Sequence, residues 1–353
     1  MYFHKYVIIM IITHVGGEML LEKDVVFTEA GDVKRLSTSL SWRDRFGAWK
    51  VRWGIGRYSY LIEPGIYAVG EPDENSHVLV TANYKLTLDY LRKELSRLDL
   101  WILVIDTKGI NVWCAAGKGT FGNYELLKVI NKVKLKEIVS HNRLILPQLG
   151  APGIAAHVIK KAGFDVVYGP VRAEDVREFI ANGLVKTKAM REVNFGFKDR
   201  LILTPMEFIP DLKYALPFLA VLLIFNMGDV GLTLVNYIPL FISLLLGSVA
   251  VPLLLPYIPF RAFSLKGAVL GAVWSLVFLR FSGAFLVQDS WMVKAAFVFF
   301  IMFISSYTAL QFTGSSTYTS LSGTTKETVR SMVTGAVLCA SGAILLIAYR
   351  IMG

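Results

Sequence analysis

Residues 101–121 read W-I-L-V-I-D-T-K-G-I-N-V-W-C-A-A-G-K-G-T-F. Trp101 to Ile105 is a short, unbroken apolar run with β-branched residues, the pattern of a strand buried on both faces. Asp106 to Gly109 reads as a tight loop, and Asn111 stands where a helix cap belongs, ahead of Val112 and Trp113. Cys114 then falls at the third helical position, where free backbone N–H groups and the helix dipole stabilise a thiolate. Ala115, Ala116 and Gly117 follow it, side chains small enough to let a large flat object approach. A lone cysteine in an apolar helix is ordinarily a small buried hydrophobe. The spacing alone leaves that role, a metal-ligand role and a nucleophile role all open.

Outward from this stretch the pattern alternates. Val78 to Thr81 predicts a strand, with Asn83 after it as a cap or loop ligand, and Leu86, Leu88, Leu91, Leu95 and Leu98 share one helical stripe. Tyr124 to Ile130 predicts a helix, Leu144 to Leu146 a strand, and Ile154 to Ala162 a helix stopped by Gly163. Val166 to Tyr168 predicts a strand, and Ala173 to Asn182 a helix stopped by Gly183. Short strands separated by helices imply a mostly parallel sheet covered on both faces, with ligands bound beyond the carboxyl ends of its strands. The loops at 81–85, 106–111, 147–153 and 169–172 lie at those ends. Trp42 to Gly70, with Trp49, Val51 and Trp53 alternating, reads as strands or an irregular edge, 191–208 as further strand-like pieces, and 1–41 as an extension without assignment.

The chain has 353 residues, 54% of them hydrophobic, and a net charge of +10. Its charges concentrate before residue 211. Residues 42–210 are therefore expected to form a soluble domain and 211–353 a membrane domain of about five helices, near 212–227, 232–256, 266–286, 291–312 and 331–349. Arg261 and Lys266 lie in one inter-helix loop, and Lys326 and Arg330 in another on the same side. Arg280, Lys294 and Arg350 lie on the alternate side, a bias that puts the soluble domain in the cytoplasm and the C-terminus outside. The basic balance has no nucleic-acid motif behind it: no arginine-rich helix, no zinc-finger spacing, no stacking aromatics. The two cysteines, Cys114 and Cys339, fall in different domains, so no disulfide framework or iron–sulfur cluster is expected from this chain. The stretch from Gly314 to Thr325 is rich in Ser, Thr and Gly and has no evident role.

The string N-V-W-C-A-A-G-K (111–118) resembles the signature of the mercury-methylating corrinoid protein family. V-R-W-G-I-G-R (51–57), E-P-G-I-Y-A-V-G (63–70), V-L-V-T-A-N-Y-K (78–85), L-I-L-P-Q-L-G-A-P-G (144–153), G-F-D-V-V-Y-G-P-V-R-A (163–173) and the hydrophobic tail extend the resemblance. The soluble part is also similar to the corrinoid-binding domain of the corrinoid iron–sulfur protein of acetyl-CoA synthesis, which lacks a cysteine at the position of Cys114.

The resemblance implies a Rossmann-like α/β corrinoid-binding domain with a cap helix, followed by an all-α membrane domain. It implies a cobalamin or related corrinoid with the Cys114 thiolate as lower axial cobalt ligand. It also implies methyl transfer from methyl-Co(III) to Hg(II), giving methylmercury. A soft, electron-rich thiolate suits that transfer, because it pushes density towards the group opposite. Asn111 and Trp113 would fix the cap helix with Val112, while Ala115, Ala116 and Gly117 would leave room over the ring. Lys118 would meet a corrin amide or cap the helix. Thr81, Asn83, Gly150, Ala151, Gly153, Gly169 and Pro170 are candidate contacts for the ring edge and tail. The implied partners are a separate ferredoxin-like iron–sulfur reductant, a methyl-tetrahydrofolate-type donor acting through a methyltransferase, Hg(II), and membrane lipid. The D-x-H-x-x-G motif of other corrinoid sites is missing; His4, His14, His77, His141 and His157 lie outside any such pattern.

The alternative is a membrane-anchored corrinoid methyl carrier for a different acceptor in one-carbon or acetyl-CoA metabolism. A channel or transporter with a Rossmann-like regulatory domain would leave residues 111–118 unexplained. A nicotinamide dehydrogenase would need a G-x-G-x-x-G after a strand, which the chain lacks.

Overall fold

A computed structural model describes residues 21–226, 234–285, 287, 289–319 and 321–352. The chain divides into two compact units. Ile55–Val193 and the residues before Arg52 form one, and Asn194 onwards with Arg52–Gly54 forms the other. The division falls at Val193/Asn194, earlier than the expected one after residue 210.

The first unit is built on a seven-stranded mixed sheet. Its strands are β1 (Leu21–Thr28), β2 (Gly31–Leu36), β3 (Gly65–Val69), β4 (Val78–Ala82), β5 (Leu100–Ile105), β6 (Arg143–Leu146) and β7 (Asp165–Tyr168). They lie in the order β1-β2-β3-β5-β4-β6-β7. β5, β4, β6 and β7 are parallel, as the alternation predicts. β3 runs antiparallel to β5 and carries the hairpin β1–β2 beyond it, so the sheet is mixed rather than mostly parallel. The helices are α1 (Trp42–Arg52), α2 (Lys85–Glu94), α3 (Val112–Lys118), α4 (Asn123–Lys132), α5 (Ala156–Lys161) and α6 (Val176–Ala181).

Three expectations are corrected here. Residues 21–36 belong to the sheet and are not an unassigned extension; the rest of 1–20 lies outside the described residues. Trp42 begins a helix, not a strand: Trp42, Phe46 and Trp49 stack along one exposed face, and the tryptophan spacing that suggested alternation follows a helical turn. Residues 191–208 contain no strand; a helix starts at Phe197.

β5 explains why the core lies on both sides. All six of its residues are buried. Trp101, Leu103 and Ile105 join the cluster under α3 and α4, whereas Leu100, Ile102 and Val104 join the cluster under α2 and α6. Alternate side chains of a strand point to opposite faces, so a continuous apolar run needs cover on both.

α1 is fastened by buried charge. Lys85 Nζ lies 2.5 Å from Asp44 Oδ1 and 2.8 Å from Asp89 Oδ2, and Arg92 bonds the other oxygens of both carboxylates at 2.9 and 2.8 Å. All four side chains are almost wholly buried. Burial pushes the Asp44 carboxyl up, but hydrogen bonds from Lys85 and Ser41 and the Lys85 charge outweigh it and bring its pKa down to about 2.

The second unit is helical: α7 (Phe197–Asn226), α8 (Val235–Leu254, with a π turn at Leu246–Ala250), α9 (Phe263–Arg280), α10 (Trp291–Gln311) and α11 (Leu321–Met352). Among the described residues four helical stretches are long and apolar enough to cross a membrane: Val235–Leu254, Phe263–Arg280, Trp291–Ser315 and Ser322–Met352. The fifth expected span, 212–227, corresponds to the second half of α7 and is not among the four; residue 227 lies outside the described residues. Gly267 and Gly271 of α9 sit directly against Ser305 of α10, the close backbone approach that small residues permit between apolar helices.

Lys85→Met leaves two buried carboxylates to share the single charge of Arg92 and should cost about 3–5 kcal/mol of stability. The readout is the denaturation midpoint, and an unchanged value would make the cluster dispensable. Since the folded pKa of Asp44 lies below its ordinary 3.8, its contribution is complete above that pH and is lost as pH falls through about 2. Amide protection in α1 and α2, taken relative to the intrinsic exchange rate at each pH, should fall over that range and stay constant above it.

Candidate functional site

The chain leaves β4 for β5 on one side and then returns to β6 on the other, making the gap between β4 and β6 a topological switch point. The ladders show the gap opening. β4 pairs with β5 from Val78 to Ala82, but with β6 only at Val78 and Leu79. Beyond Leu79 the two strands have no mutual pairing, and a cleft of about 500 Å³ lies there. Thr81, Asn111, Val112, Trp113, Gly169 and Pro170 line it, six of the residues expected from sequence.

α3 forms one wall because of a polar staple beneath it. Asn83, 3% exposed, accepts on its Oδ1 from the Thr107 N–H at 3.0 Å and the Gly109 N–H at 3.1 Å. Its Nδ2 donates to Asp106 Oδ1 at 3.1 Å, and the Thr107 hydroxyl lies 2.9 Å from Asn83 Oδ1 and 2.7 Å from the Ile110 carbonyl. One carboxamide thus fixes the whole 106–110 loop. Gly109 is needed there: its φ is +70°, and a Cβ would strike Leu61. The loop delivers Asn111, whose Oδ1 accepts from the Cys114 N–H at 2.9 Å, the expected cap. Asn83 was expected at the ring edge; its polar atoms are instead committed to this loop.

α3 sorts its residues by face. Val112, Ala115 and Ala116, at helical spacing, are buried against the core, while Trp113 is 40% exposed, Gly117 and Lys118 are exposed and Cys114 is half-buried. Ala115 and Ala116 therefore do not open space on the cysteine face, as the sequence suggested; they seat the helix. Gly117, one turn beyond Cys114 on the outer face, does: a Cβ there would meet nothing within 4 Å. Gly150 and Gly153 also belong to the seating. A Cβ on Gly150 would fall 2.5 Å from the Phe121 ring, and one on Gly153 would strike the Phe121 carbonyl and approach Ala116 Cα to 3.1 Å. Neither they nor Ala151 line the cleft. Lys118 ends α3, and Gly119 follows at φ 79° with its N–H on the Ala115 and Ala116 carbonyls.

The outer wall was missed. Thr87, Tyr90, Leu91 and Glu94 of α2 line the cleft, spaced i, i+3, i+4, i+7. The reading of α2 followed its leucine stripe and ignored this second one, the sequence signal that would have found it.

The donor set suits a cofactor that brings its own metal and asks for one axial ligand. Among the described residues no three His, Cys, Asp or Glu side chains converge on a point; Cys114 does not itself line the cleft, but it is a free thiol directly after the lining residue Trp113, with the open Gly117 position one turn on. A corrinoid fits these features: a flat ring over the outer face of α3, and a tail that needs a crevice in the sheet.

Residues 57–179 match the family model of the CO dehydrogenase/acetyl-CoA synthase delta subunit. The chain is 36% identical over 121 residues to the acetyl-CoA decarbonylase/synthase complex subunit gamma of Methanopyrus kandleri, covering 34% of this chain and 26% of that one. It is 32% identical over 141 residues to the corresponding subunit of Methanocaldococcus jannaschii, covering 39% and 29%. It is 30% identical over 121 residues to the corrinoid/iron–sulfur protein large subunit of Moorella thermoacetica, covering 33% and 27%. The chain spans little more than a quarter of the length of these relatives.

Asn83→Ala leaves two loop N–H groups without their acceptor and should destabilise the first unit by about 2–4 kcal/mol. Thiol-reagent kinetics at Cys114, in a Cys339→Ala background, should change as α3 loses its anchor. Unaltered kinetics would show that α3 is positioned without the staple.

Proposed function

We propose that this chain is a membrane-anchored corrinoid protein that carries a methyl group, with the Cys114 thiolate as the lower cobalt ligand. The observation that carries the proposal is the placement of Cys114: a half-buried cysteine whose N–H is capped by Asn111, with an open glycine one turn on, on the helix whose Val112 and Trp113 line the β4/β6 cleft. The corrinoid-named relatives match this part of the chain and support the carrier reading.

When bound, a cobalt corrinoid supplies a metal that takes up a methyl group from one partner and releases it to another. The chain's own residues do the rest. Asn111 and the Asn83 staple hold Cys114 in register with the cleft. Gly117 keeps the outer face of α3 free of side-chain bulk, and Trp113 gives that face an aromatic border. Thr81, Gly169 and Pro170 receive the tail between β4 and β6. Cys114 would be the residue that holds the metal, and a soft thiolate there would favour release of a methyl group to a soft, thiophilic acceptor. Lys118 remains at the solvent edge.

Two acceptors are in play. The relatives' names favour a carrier serving acetyl-CoA or other one-carbon chemistry, and on them alone that reading is the better supported. The N-V-W-C-A-A-G-K string, and the softness of the ligand it supplies, favour Hg(II) with methylmercury as product. On either reading the electrons come from a separate ferredoxin-like protein and the methyl group from a methyl-tetrahydrofolate-type donor through a methyltransferase. The corrinoid domain faces the cytoplasm, the apolar helices anchor it in the cell membrane, and a crossing by α7 would bring the C-terminus outside.

The test loads the full-length chain with methylcobalamin and assays methyl release to Hg(II), in wild type beside Cys114→Ala. The mercury reading predicts methylmercury from wild type and a loss of about a hundredfold or more in the variant, with the visible spectrum shifting in parallel. Equal release from both proteins would return Cys114 to the buried cysteines. Binding without release to Hg(II) would leave the carrier reading with another acceptor.

A further inference from the structure

The second unit contains a cavity that none of the methyl chemistry uses. It measures about 930 Å³ and lies between the loop 255–262, the start of α9 and the first turns of α11. Arg261, Lys266, Lys326 and Arg330 line it, with Glu327 as the one carboxylate among its lining residues. The balance is four cations against one anion. Among the described residues none of the four makes an ion pair.

The single carboxylate is already engaged. Glu327 Oε1 accepts from the Ser264 N–H at 2.9 Å and the Ser264 hydroxyl at 3.1 Å, so it caps α9. Lys266 is 6% exposed, and its ammonium donates to the Leu255 and Ile258 carbonyls, each at 2.6 Å. Those carbonyls hold its position but supply no countercharge, and a buried cation without one is expensive. Arg261, Lys326 and Arg330 are exposed towards the same space. Basic residues in loops flanking apolar helices are often explained by topology alone. Topology does not require a loop arginine, Arg261, and residues of two different helices, Lys266 of α9 and Lys326 and Arg330 of α11, to converge on one cavity, or one of them to be buried. Tyr318, Thr319 and Gly323 also line it, which gives the Ser/Thr/Gly-rich stretch of 314–325 a place in the cavity wall, with the Thr319 hydroxyl donating to the Thr313 carbonyl at 2.8 Å.

We infer that this cavity is a binding site for a phosphate ester anion, held by Arg261, Lys266, Lys326 and Arg330. Arginine and lysine around a phosphate supply short, charge-assisted hydrogen bonds from several directions. A basic pocket between apolar helices suits the headgroup of an anionic phospholipid, and the same donors would hold a soluble phosphate ester. The site is independent of the corrinoid reading.

The test is native mass spectrometry of the full-length chain in detergent, incubated with short-chain phosphatidylglycerol or phosphatidylcholine. Parallel samples contain glycerol 3-phosphate or inorganic phosphate as competitors. The expected result is a one-to-one phosphatidylglycerol adduct in wild type that weakens about tenfold or more in Lys326→Gln/Arg330→Gln. A charge-matched variant away from the site, Lys161→Gln/Lys188→Gln, should keep it. Lys326 and Arg330 are exposed, so the double variant is expected to fold; Lys266→Met is the stricter second variant. Displacement by glycerol 3-phosphate at matched concentration would identify a soluble phosphate ester as a ligand, and resistance to displacement would identify the lipid. Equal retention of the two lipids, or an adduct unchanged in the double variant, would overturn the site.

Discussion

The architecture of the first unit depends on where two strands stop pairing. β4 stays bonded to β5 along its whole length and parts from β6 after Leu79. That divergence gives the sheet a crevice at its carboxyl end, which the twist and connectivity of a parallel sheet place at the switch point. Everything else at the site is fitted to it. Asn83, one residue past β4, ties down the loop after β5, and that loop sets the start of α3. A single buried carboxamide therefore couples the ends of β4 and β5 to the helix that carries Cys114. Buried polar groups of this kind are costly when half-satisfied and rigidifying when complete.

The parts legible in the sequence were those with a local cause. β4, β5, β6 and β7 showed as short apolar runs because both of their faces are covered, and Asn111 showed as a cap because a cap is a one-residue motif. The parts that were not legible depended on partners far along the chain. α1 has a weak apolar pattern because it is held by Asp44 through Lys85 and Arg92, residues some forty positions away. Its exposed tryptophans then passed for the alternation of a strand. The glycines at 150 and 153 looked like room for a ligand, yet they make room for Phe121 and α3. Which face of α3 a residue occupies could be counted from its spacing. Which face looks outward required the sheet.

The two units divide the labour of the proposed carrier. The first provides a free thiol on the helix that walls a sheet crevice, as the proposal requires of a protein that lends one ligand to a metal held by a cofactor. The second provides four apolar helices and, among their loops, a concentration of positive charge unanswered by the protein itself. Apolar length accounts for the anchor. The convergent cations call for something more specific, and a phosphate anion meets the requirement with ordinary electrostatics.

The central claim is that Cys114 is bound to cobalt, and X-ray absorption at the cobalt edge of the cobalamin-loaded, full-length chain tests it most directly. The account predicts a sulfur scatterer in the first shell of the wild type and none in Cys114→Ala. A shell of nitrogen and oxygen alone in the wild type would contradict it.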